Sequence, residues 1–238
     1  MLFSPLDSDR FHQRIGKAHV SQLDDVQEIL AGSSEEDLDL LIARCPCNQI
    51  PAVHAMEAAG FRWMDTLVYM VRPIAQDDRQ NVDGIRKANH QDVDAVESIA
   101  RSAFGDYVGH YHADARLDRE AVKEIYPDWS RRAMSIPGVA DCVLVAEDDE
   151  VVSGFAILNL MKDACCNGML YGVAPAFQGR GVFKRLLRAS FNWAVENGCA
   201  AMEYSTQLNN TAALRGVTRE GFVMQRAVHT FHRWKMES

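Results

Sequence analysis

The sequence lacks any apolar run long enough to cross a membrane, since nowhere do about 18 apolar residues follow one another. It also lacks an excess of basic residues, because 25 Lys and Arg stand against 33 Asp and Glu, for a net charge of −8. A general nucleic-acid binder needs clustered cations, so this class is excluded. The N-terminus has no basic start followed by an apolar stretch. We therefore expect a cytoplasmic protein that binds neither membrane nor nucleic acid.

Cysteine occurs six times, but in no arrangement that is typical of a disulfide scaffold. The paired C-x-x-C spacing of a structural zinc site is also missing. The pair that we single out is Cys45 and Cys47, which flank a proline. We expect reduced thiols within strands and no metal site.

An internal repeat divides the chain into two related parts. The segments 48–72 and 209–233 share an Asn, an Ala, a Gly-Phe pair and a final Arg when they are aligned at Gly60 and Gly221. Each copy predicts a short helix, a glycine stop and a strand. The length of 238 residues suits one large domain or two of ordinary size, and the repeat favours two.

A polar stretch at 75–84 reads as a linker between the two parts. We place the boundary near its middle, which gives a truncated N-terminal half at residues 1–80 and a second half at residues 81–238. The second half contains patterns in the order β-α-α-β-β-β-α-β-α-β.

Within the first half, Ser33 and Glu36 form a capping-box pattern. This pattern predicts a helix at about residues 35–43.

The segment Gln178-Gly179-Arg180-Gly181 lies where a strand ends and a long helix begins. Backbone N–H groups and the positive end of the helix dipole favour an anion at such a junction. The two glycines let the main chain approach a phosphate without an intervening Cβ. The segment lacks the third glycine of a Rossmann fingerprint and the Gly-Lys-Ser/Thr of a P-loop. We predict a pyrophosphate site here, although the loop taken alone is explained equally well by an ordinary glycine turn.

Together with the order of elements and the later Asn-to-Gly-Phe unit, this loop resembles the GCN5-related N-acetyltransferase (GNAT) superfamily. The signature R/Q-x-x-G-x-G/A is matched at Gln178 and Gly181, with Phe183 in its last position. The resemblance covers about residues 83–234. It implies an α/β (α+β) fold in which a mixed, mostly antiparallel sheet is flanked by helices. Two tandem halves of this kind then follow one another, and the first is truncated and has no phosphate loop.

The resemblance implies acetyl-CoA as cosubstrate, with its pyrophosphate on the loop and its pantetheine arm beside the strand that ends at Val173. It also implies that a neutral amine attacks the thioester directly while strand N–H groups polarise the carbonyl. Asn210 is expected to cap a helix and to meet the pantetheine. The full set of expected cofactor-binding residues is Val173, Gln178, Gly179, Arg180, Gly181, Val182, Phe183 and Asn210.

Two positions depart from the superfamily pattern. Phe183 stands where a small residue is usual, so either the helix tilts or the ring turns into the core. Val217 stands where a tyrosine often protonates the departing thiolate. We therefore consider Tyr171 and Tyr204, on the two strands that splay beside the cofactor, as candidate acids.

Candidates for a general base lie between the first two helices of the second half. A histidine that titrates near neutrality suits the deprotonation of an ammonium group, and both His110 and His112 lie there. We place His112 among the catalytic residues. Asp106 and Asp114 are candidates for holding a substrate ammonium or a sugar hydroxyl, with helix capping or solvation as the ordinary alternative.

A narrower resemblance is to the dTDP-amino-sugar acetyltransferases, among them the dTDP-fucosamine acetyltransferases. It is carried by residues 9–11, residues 112–117 and the pair Tyr126 and Trp129. This resemblance implies N-acetylation of a nucleotide-linked amino sugar.

Two rival functions stay open, together with the assembly. The first rival is acetylation of an amino acid, an aminoglycoside-like amine or a peptide N-terminus, which the net negative charge favours because it attracts cationic acceptors. The second is a catalytically weak acyl-CoA-binding or scaffold protein, suggested by Val217 and Phe183. The sequence does not fix the oligomeric state, and a homodimer is kept as a candidate assembly.

Overall fold

The computed structural model describes residues 2–235, so Met1 and residues 236–238, the outer ends of the two expected halves, lie outside the described residues. The strands of the described part are β1 (Leu2–Phe3), β2 (Ile15–His19), β3 (Leu40–Pro46), β4 (Arg62–Pro73), β5 (Ile85–Lys87), β6 (Cys142–Asp148), β7 (Val151–Met161), β8 (Cys165–Val173), β9 (Ala201–Gln207) and β10 (Val223–Trp234). Its helices are α1 (Pro5–Phe11), α2 (Asp25–Glu35), α3 (Ile50–Ala58), α4 (Val93–Ala103), α5 (His110–Ala113), α6 (Arg119–Lys123), α7 (Ile125–Ser135), α8 (Val182–Glu196) and α9 (Thr211–Arg219).

Within residues 2–235 the strands form one sheet in the order β1-β2-β3-β10-β4-β9-β8-β7-β6-β5. The last strand, β10, lies between β3 and β4 and is antiparallel to both. Val228 of β10 is therefore flanked by Pro46 on one side and Leu67 on the other. The described parts of the two expected halves, residues 2–80 and 81–235, thus share one sheet instead of forming two separate ones, and their origin as tandem halves stays a prediction.

The two copies of the repeat form the local structure that the sequence predicts. In the first copy α3 leads through Gly60 into β4, and in the second α9 leads through Gly221 into β10. Both glycines have positive φ angles, +82° and +89°, which a residue with a Cβ rarely adopts. The resulting strands are antiparallel neighbours near the centre of the sheet.

The expected helix at residues 35–43 is wrong. Helix α2 occupies residues 25–35, and the next element is the strand β3. Leu40 and Leu41 are adjacent along the chain and both are buried, at 0% and 1% exposure. A continuous apolar run that is buried on both faces is typical of an interior strand, and here it outweighs the capping-box pattern at Ser33.

The part of the sheet that carries the phosphate loop is covered on both faces. Phe155 and Ile157 of β7 pack in one apolar cluster with Ile99 of α4. Leu158 of the same strand packs in another cluster with Leu187 of α8. This alternation follows from the two-residue period of a strand. Helix α8 is thereby fixed against the sheet, and its N-terminus is held next to the end of β8.

Candidate active site

The site begins where two parallel strands separate. β8 pairs with β9 only from Cys165 to Gly168, and beyond that point residues 170–173 pair with β7 alone. A bulge at Met169, opposite the step from Ile157 to Leu158, marks the point of separation. Backbone groups on the side of β8 that faces β9 therefore lose their partners. The gap leaves a strand edge on which an extended ligand can be hydrogen-bonded.

The loop at residues 178–181 has the conformation of an anion site. Gly179 and Gly181 have φ angles of +76° and +81°, and a Cβ added to either would meet no atom within 4 Å. The N–H of Arg185 donates to the carbonyl of Gly181 at 3.0 Å, whereas the N–H groups of residues 181–184 have no acceptor within residues 2–235. Such groups lie at the positive end of the helix dipole. The cradle thus fits a phosphate.

Phe183 has its ring turned inward, which decides between the two alternatives for this position. Its ring centre lies 5.6 Å from that of Tyr171 and 6.3 Å from that of Tyr204. A Cβ added at Gly216 of α9 would lie 2.9 Å from the ring. The large residue at 183 is therefore accommodated by the absence of a side chain at 216.

The two candidate acids differ in what their hydroxyl groups contact. Tyr171 donates to Ser190 Oγ at 2.9 Å, so its hydroxyl is directed into the core against α8. Tyr204 has no hydrogen-bond partner for its hydroxyl within the described residues. Burial, followed by the nearby Tyr107, raises the pKa of Tyr204, so this phenol stays protonated at neutral pH. Val217 is fully buried in the core, which leaves Tyr204 as the better placed donor.

We expect Tyr204→Phe to lower kcat by about 100-fold, the size of effect typical for loss of a general acid. Stability should change little, because the ring and its packing are kept. Steady-state kinetics and thermal unfolding measure the two quantities. Tyr69→Phe on the neighbouring strand β4 is the matched control, since its ring lies under the guanidinium of Arg226 at 3.8 Å and outside the site. An unchanged kcat in Tyr204→Phe would show that the Tyr204 hydroxyl does not act as the acid.

Asn210 caps helix α9, as the sequence predicts. Its Oδ1 accepts from the N–H of Ala213 at 3.2 Å, and its Nδ2 donates to Thr206 Oγ1 at 2.9 Å. Its contact with the pantetheine stays a prediction.

These features open into one cleft of about 1100 Å³. The expected site residues that line the cleft are Tyr171, Val173, Gln178, Gly179, Gly181, Val182, Phe183, Tyr204 and Asn210. Two others do not line it. The guanidinium of Arg180 lies over the ring of Phe177 at 5.4 Å, and His112 packs behind the cleft wall.

His110 and His112 are two residues apart, but of the two it is His110 that lines the cleft. His112 Nδ1 accepts from the N–H of Gly109 at 3.3 Å, and burial, then Arg119, lower its pKa. His110 lines the cleft and is only 8% exposed. Asp114 makes no contribution to the cleft surface and lies behind His110, whereas Asp106 does line the cleft.

Residues of the segment 2–80 line the end of the cleft remote from the loop at residues 178–181, together with residues of α4, α5 and α7. Side chains that line the whole cleft include six cations, Arg10, Lys17, Arg44, Arg132, Lys184 and Arg219, and three carboxylates, Asp7, Asp106 and Asp128. Lys17 pairs with Asp7 and Arg10 pairs with Asp128. Within residues 2–235, Arg44 and Arg132 form no ion pair. A chain of net charge −8 thus presents a positive excess in its cleft.

Sequence reasoning missed Arg44, although a signal for it exists. It is the only charged residue in the run L40-L-I-A-R-C-P46. A charge inside an otherwise apolar strand is rarely structural unless it has a partner.

Aromatic side chains form one wall of the cleft. Phe104 and Tyr126 stack with ring centres 4.3 Å apart, and Tyr107 meets Tyr126 edge-on at 5.3 Å. Trp129 extends this wall. Such surfaces suit the faces of sugar and nucleobase rings.

The described residues, 2–235, contain no metal cluster, no disulfide and no helix suited to span a membrane. No group of three or more His, Cys, Asp or Glu side chains there could hold a metal ion. The six cysteines are unpaired in this part of the chain, and burial raises the pKa of Cys45 to about 11. None of the helices in that range combines the length and apolar character that crossing a membrane requires.

Comparison with known proteins agrees with this geometry. The model of the acetyltransferase (GNAT) family matches residues 96–222, more than half of the chain, from α4 to the start of β10. The crystal structure of a GCN5-related N-acetyltransferase from Sphaerobacter thermophilus superimposes with a TM-score of 0.56 at 16% identity. The match covers 87% of this chain but 65% of that protein, so the chain spans less than two thirds of that neighbour. At this identity the likeness shows the fold.

Two curated relatives are similar over most of the chain. The spore coat polysaccharide biosynthesis protein SpsD of Bacillus subtilis is 25% identical over 201 residues, which are 84% of this chain and 68% of that protein. The dTDP-fucosamine acetyltransferase of Escherichia coli is 21% identical over 194 residues, which are 80% of each. Both alignments extend well beyond the family segment.

Proposed function

The chain belongs to the acetyltransferase (GNAT) family, and from this premise we propose that it acetylates the amine of a nucleotide-linked amino sugar. It is an acyltransferase with acetyl-CoA as its cosubstrate. The acceptor is the finer part of the proposal. The observation that carries it is the pair Arg44 and Arg132, which line the end of the cleft remote from the loop at residues 178–181 and form no ion pair within residues 2–235.

The residues around the loop fit acetyl-CoA, which supplies an acetyl thioester. The N–H groups of residues 181–184 would hold its pyrophosphate, and the free edge of β8 at residues 169–173 would hold the pantetheine arm. Val173, Phe183 and Asn210 line the cleft between these two contacts. Tyr204 would donate a proton to the leaving sulfur.

The acceptor end supports an anionic, ring-containing substrate. Among residues 2–235 Arg44 and Arg132 have no carboxylate partners, so they are available to a diphosphate through charge-assisted hydrogen bonds. The aromatic wall around Tyr126 offers stacking surface for a sugar or a base. The names of the two relatives, one a polysaccharide biosynthesis protein and the other a dTDP-sugar acetyltransferase, point the same way.

A cationic acceptor such as an aminoglycoside fits this cleft less well. The net charge of the whole chain favours that rival, but a substrate experiences the field of the cleft, where cations exceed carboxylates. The scaffold rival needs the same phosphate cradle, and it is opposed by the Tyr204 hydroxyl, which lines the cleft as a proton donor where Val217 offers none. The cytoplasmic location and the homodimer stay predictions.

A thermal-shift panel tests the proposal. A ligand that binds only the folded state stabilises it by about 2.7 kcal/mol at a hundred times its Kd, so CoA and acetyl-CoA should each raise Tm. A dTDP-linked amino sugar should raise it further, while an aminoglycoside at the same concentration should not. No response to CoA would contradict the cosubstrate site, and a response to the aminoglycoside alone would favour the rival acceptor.

A further inference from the structure

Three buried side chains, two from α5 and its C-terminal end and one from β10, form a continuous hydrogen-bonded line, which we call the histidine relay: Asp114, His232 and His110. His232 Nδ1 lies 2.7 Å from Asp114 Oδ2, and His232 Nε2 lies 2.9 Å from His110 Nδ1. Asp114 is 4% exposed, His232 1% and His110 8%. Buried polar groups of this kind are costly unless each hydrogen bond is satisfied.

The hydrogen bonds fix the direction of the relay. Burial raises the pKa of Asp114, but hydrogen bonds from His232, the N–H of Arg116 and Trp234 outweigh it and hold the pKa at about 2. Asp114 is therefore a carboxylate and can only accept, so His232 carries its proton on Nδ1. With His232 neutral, its Nε2 accepts from Nδ1–H of His110. The remaining nitrogen of His110, Nε2, is left with a free lone pair.

That nitrogen keeps a small exposed surface, because within residues 2–235 it has no hydrogen-bond partner and is not fully buried. His110 itself lines the cleft. The residue before it, Gly109, packs against the end of β9, since a Cβ added there would lie 3.3 Å from Gln207 Nε2. His110 thus lies between the splayed strands and the cationic end at Arg44.

We propose that His110 is the general base of the acetyl transfer and that His232 and Asp114 are positioning residues that keep its Nε2 unprotonated. The inference rests on the proposed function. His110 Nε2 takes one proton from the acceptor's ammonium group and later gives it to solvent. The freed amine forms a C–N bond to the acetyl carbon, and the C–S bond breaks. The nitrogen loses a second proton as the amide forms, and the departing thiolate gains one proton. The whole reaction therefore releases one proton.

The surroundings of His110 keep it neutral. Burial is the first cause, followed by His232 of β10, Arg44 of β3, Lys17 of β2 and His112 of its own helix, and together they hold its pKa well below 6.5. Asp114 faces it only through His232. Because a lowered histidine pKa means protonation only at more acidic pH, the base stays unprotonated throughout the neutral range.

The pH dependence of kcat/KM tests the role of His110, with a dTDP-linked amino sugar as acceptor. The wild-type value should be nearly flat from about pH 6 to the pKa of the amine, because the base works on the ammonium form. In His110→Gln it should be about 100-fold lower near pH 6 and should rise tenfold per pH unit, since only neutral amine then reacts. Hydroxylamine is largely neutral near pH 7, so as the acceptor it needs no base. With it, His110→Gln should recover most of the wild-type rate of acetyl transfer.

Two further variants sharpen the experiment. In Asp114→Asn an amide N–H faces one of the three groups that donate to Asp114 in wild type, which disturbs the tautomers of His232 and His110. This variant should give the same sloping profile of kcat/KM against pH, even if His110→Gln fails to fold. His54→Gln, an exposed histidine on α3, is the matched control and should keep the flat profile. Parallel profiles for wild type and both relay variants would overturn the inference. A wild-type enzyme that transfers acetyl groups to no amine would instead overturn the proposed function.

Discussion

In the Gly181→Asp variant, CoA binding is expected to fall about a thousandfold while the fold stays intact. The carboxylate would stand at the N-terminus of α8, where the free N–H groups would otherwise meet a phosphate. Two like charges about 4 Å apart repel by about 4 kcal/mol at an effective dielectric constant of about 20, which corresponds to three orders of magnitude in Kd. Folding should tolerate the change, because Asp is a favourable N-cap and accepts left-handed backbone angles better than most residues.

Calorimetric titration with CoA measures this loss, and two variants separate its causes. Gly181→Asn has the same shape and the same φ requirement without the charge, so it should weaken binding much less. Gly198→Asp places the same carboxylate at the other end of α8, where φ is +70° and no atom lies within 4 Å of an added Cβ. It should lower stability slightly and leave CoA binding unchanged. Equal affinity in Gly181→Asp and wild type would show that the loop is not the pyrophosphate site.

The features that could be predicted from the sequence are those set by local chemistry. The loop at residues 178–181 depends on positive φ angles that glycine alone adopts freely, so its composition reveals its conformation. The two helix, glycine and strand units follow from the same rule at Gly60 and Gly221. The cap at Asn210 is likewise local, since acceptor and donor are three residues apart.

The features that could not be predicted depend on contacts between distant residues. The insertion of β10 between β3 and β4 joins both ends of the chain in one sheet, and no local pattern specifies it. The histidine relay joins residues 118 and 122 positions apart in sequence. For this reason His110 and His112 were equivalent as sequence, whereas the fold gives only His110 a place in the cleft.

Position 183 shows how a local rule was overridden. The superfamily pattern expects a small residue there. The large ring of Phe183 is accommodated across the helix pair, since Gly216 leaves room for it. The two positions have to be considered together, which sequence reasoning along α8 alone could not do.

Reversing the charge at Arg44 is expected to raise KM for a dTDP-linked amino sugar by several hundredfold, with little effect on the affinity for CoA. In Arg44→Glu a charge-assisted hydrogen bond worth about 1.5–3 kcal/mol is lost, and repulsion of the diphosphate is added. Arg44 lines the end of the cleft away from the loop and has no carboxylate partner of its own within the described residues. The change should therefore act on the acceptor and leave the CoA cradle as it is.

The comparison that decides the acceptor class uses the same amino sugar with and without its nucleotide. If the diphosphate meets Arg44, wild type should prefer the nucleotide-linked form strongly and Arg44→Glu should lose that preference, since the free sugar carries no phosphate to repel. Lys162→Glu, an exposed position in the turn between β7 and β8 and outside the cleft, changes the net charge equally and should behave as wild type. Equal KM values for the two sugar forms in wild type would mean that the cations of the cleft do not recognise a nucleotide, and an uncharged or cationic amine would then be the better acceptor.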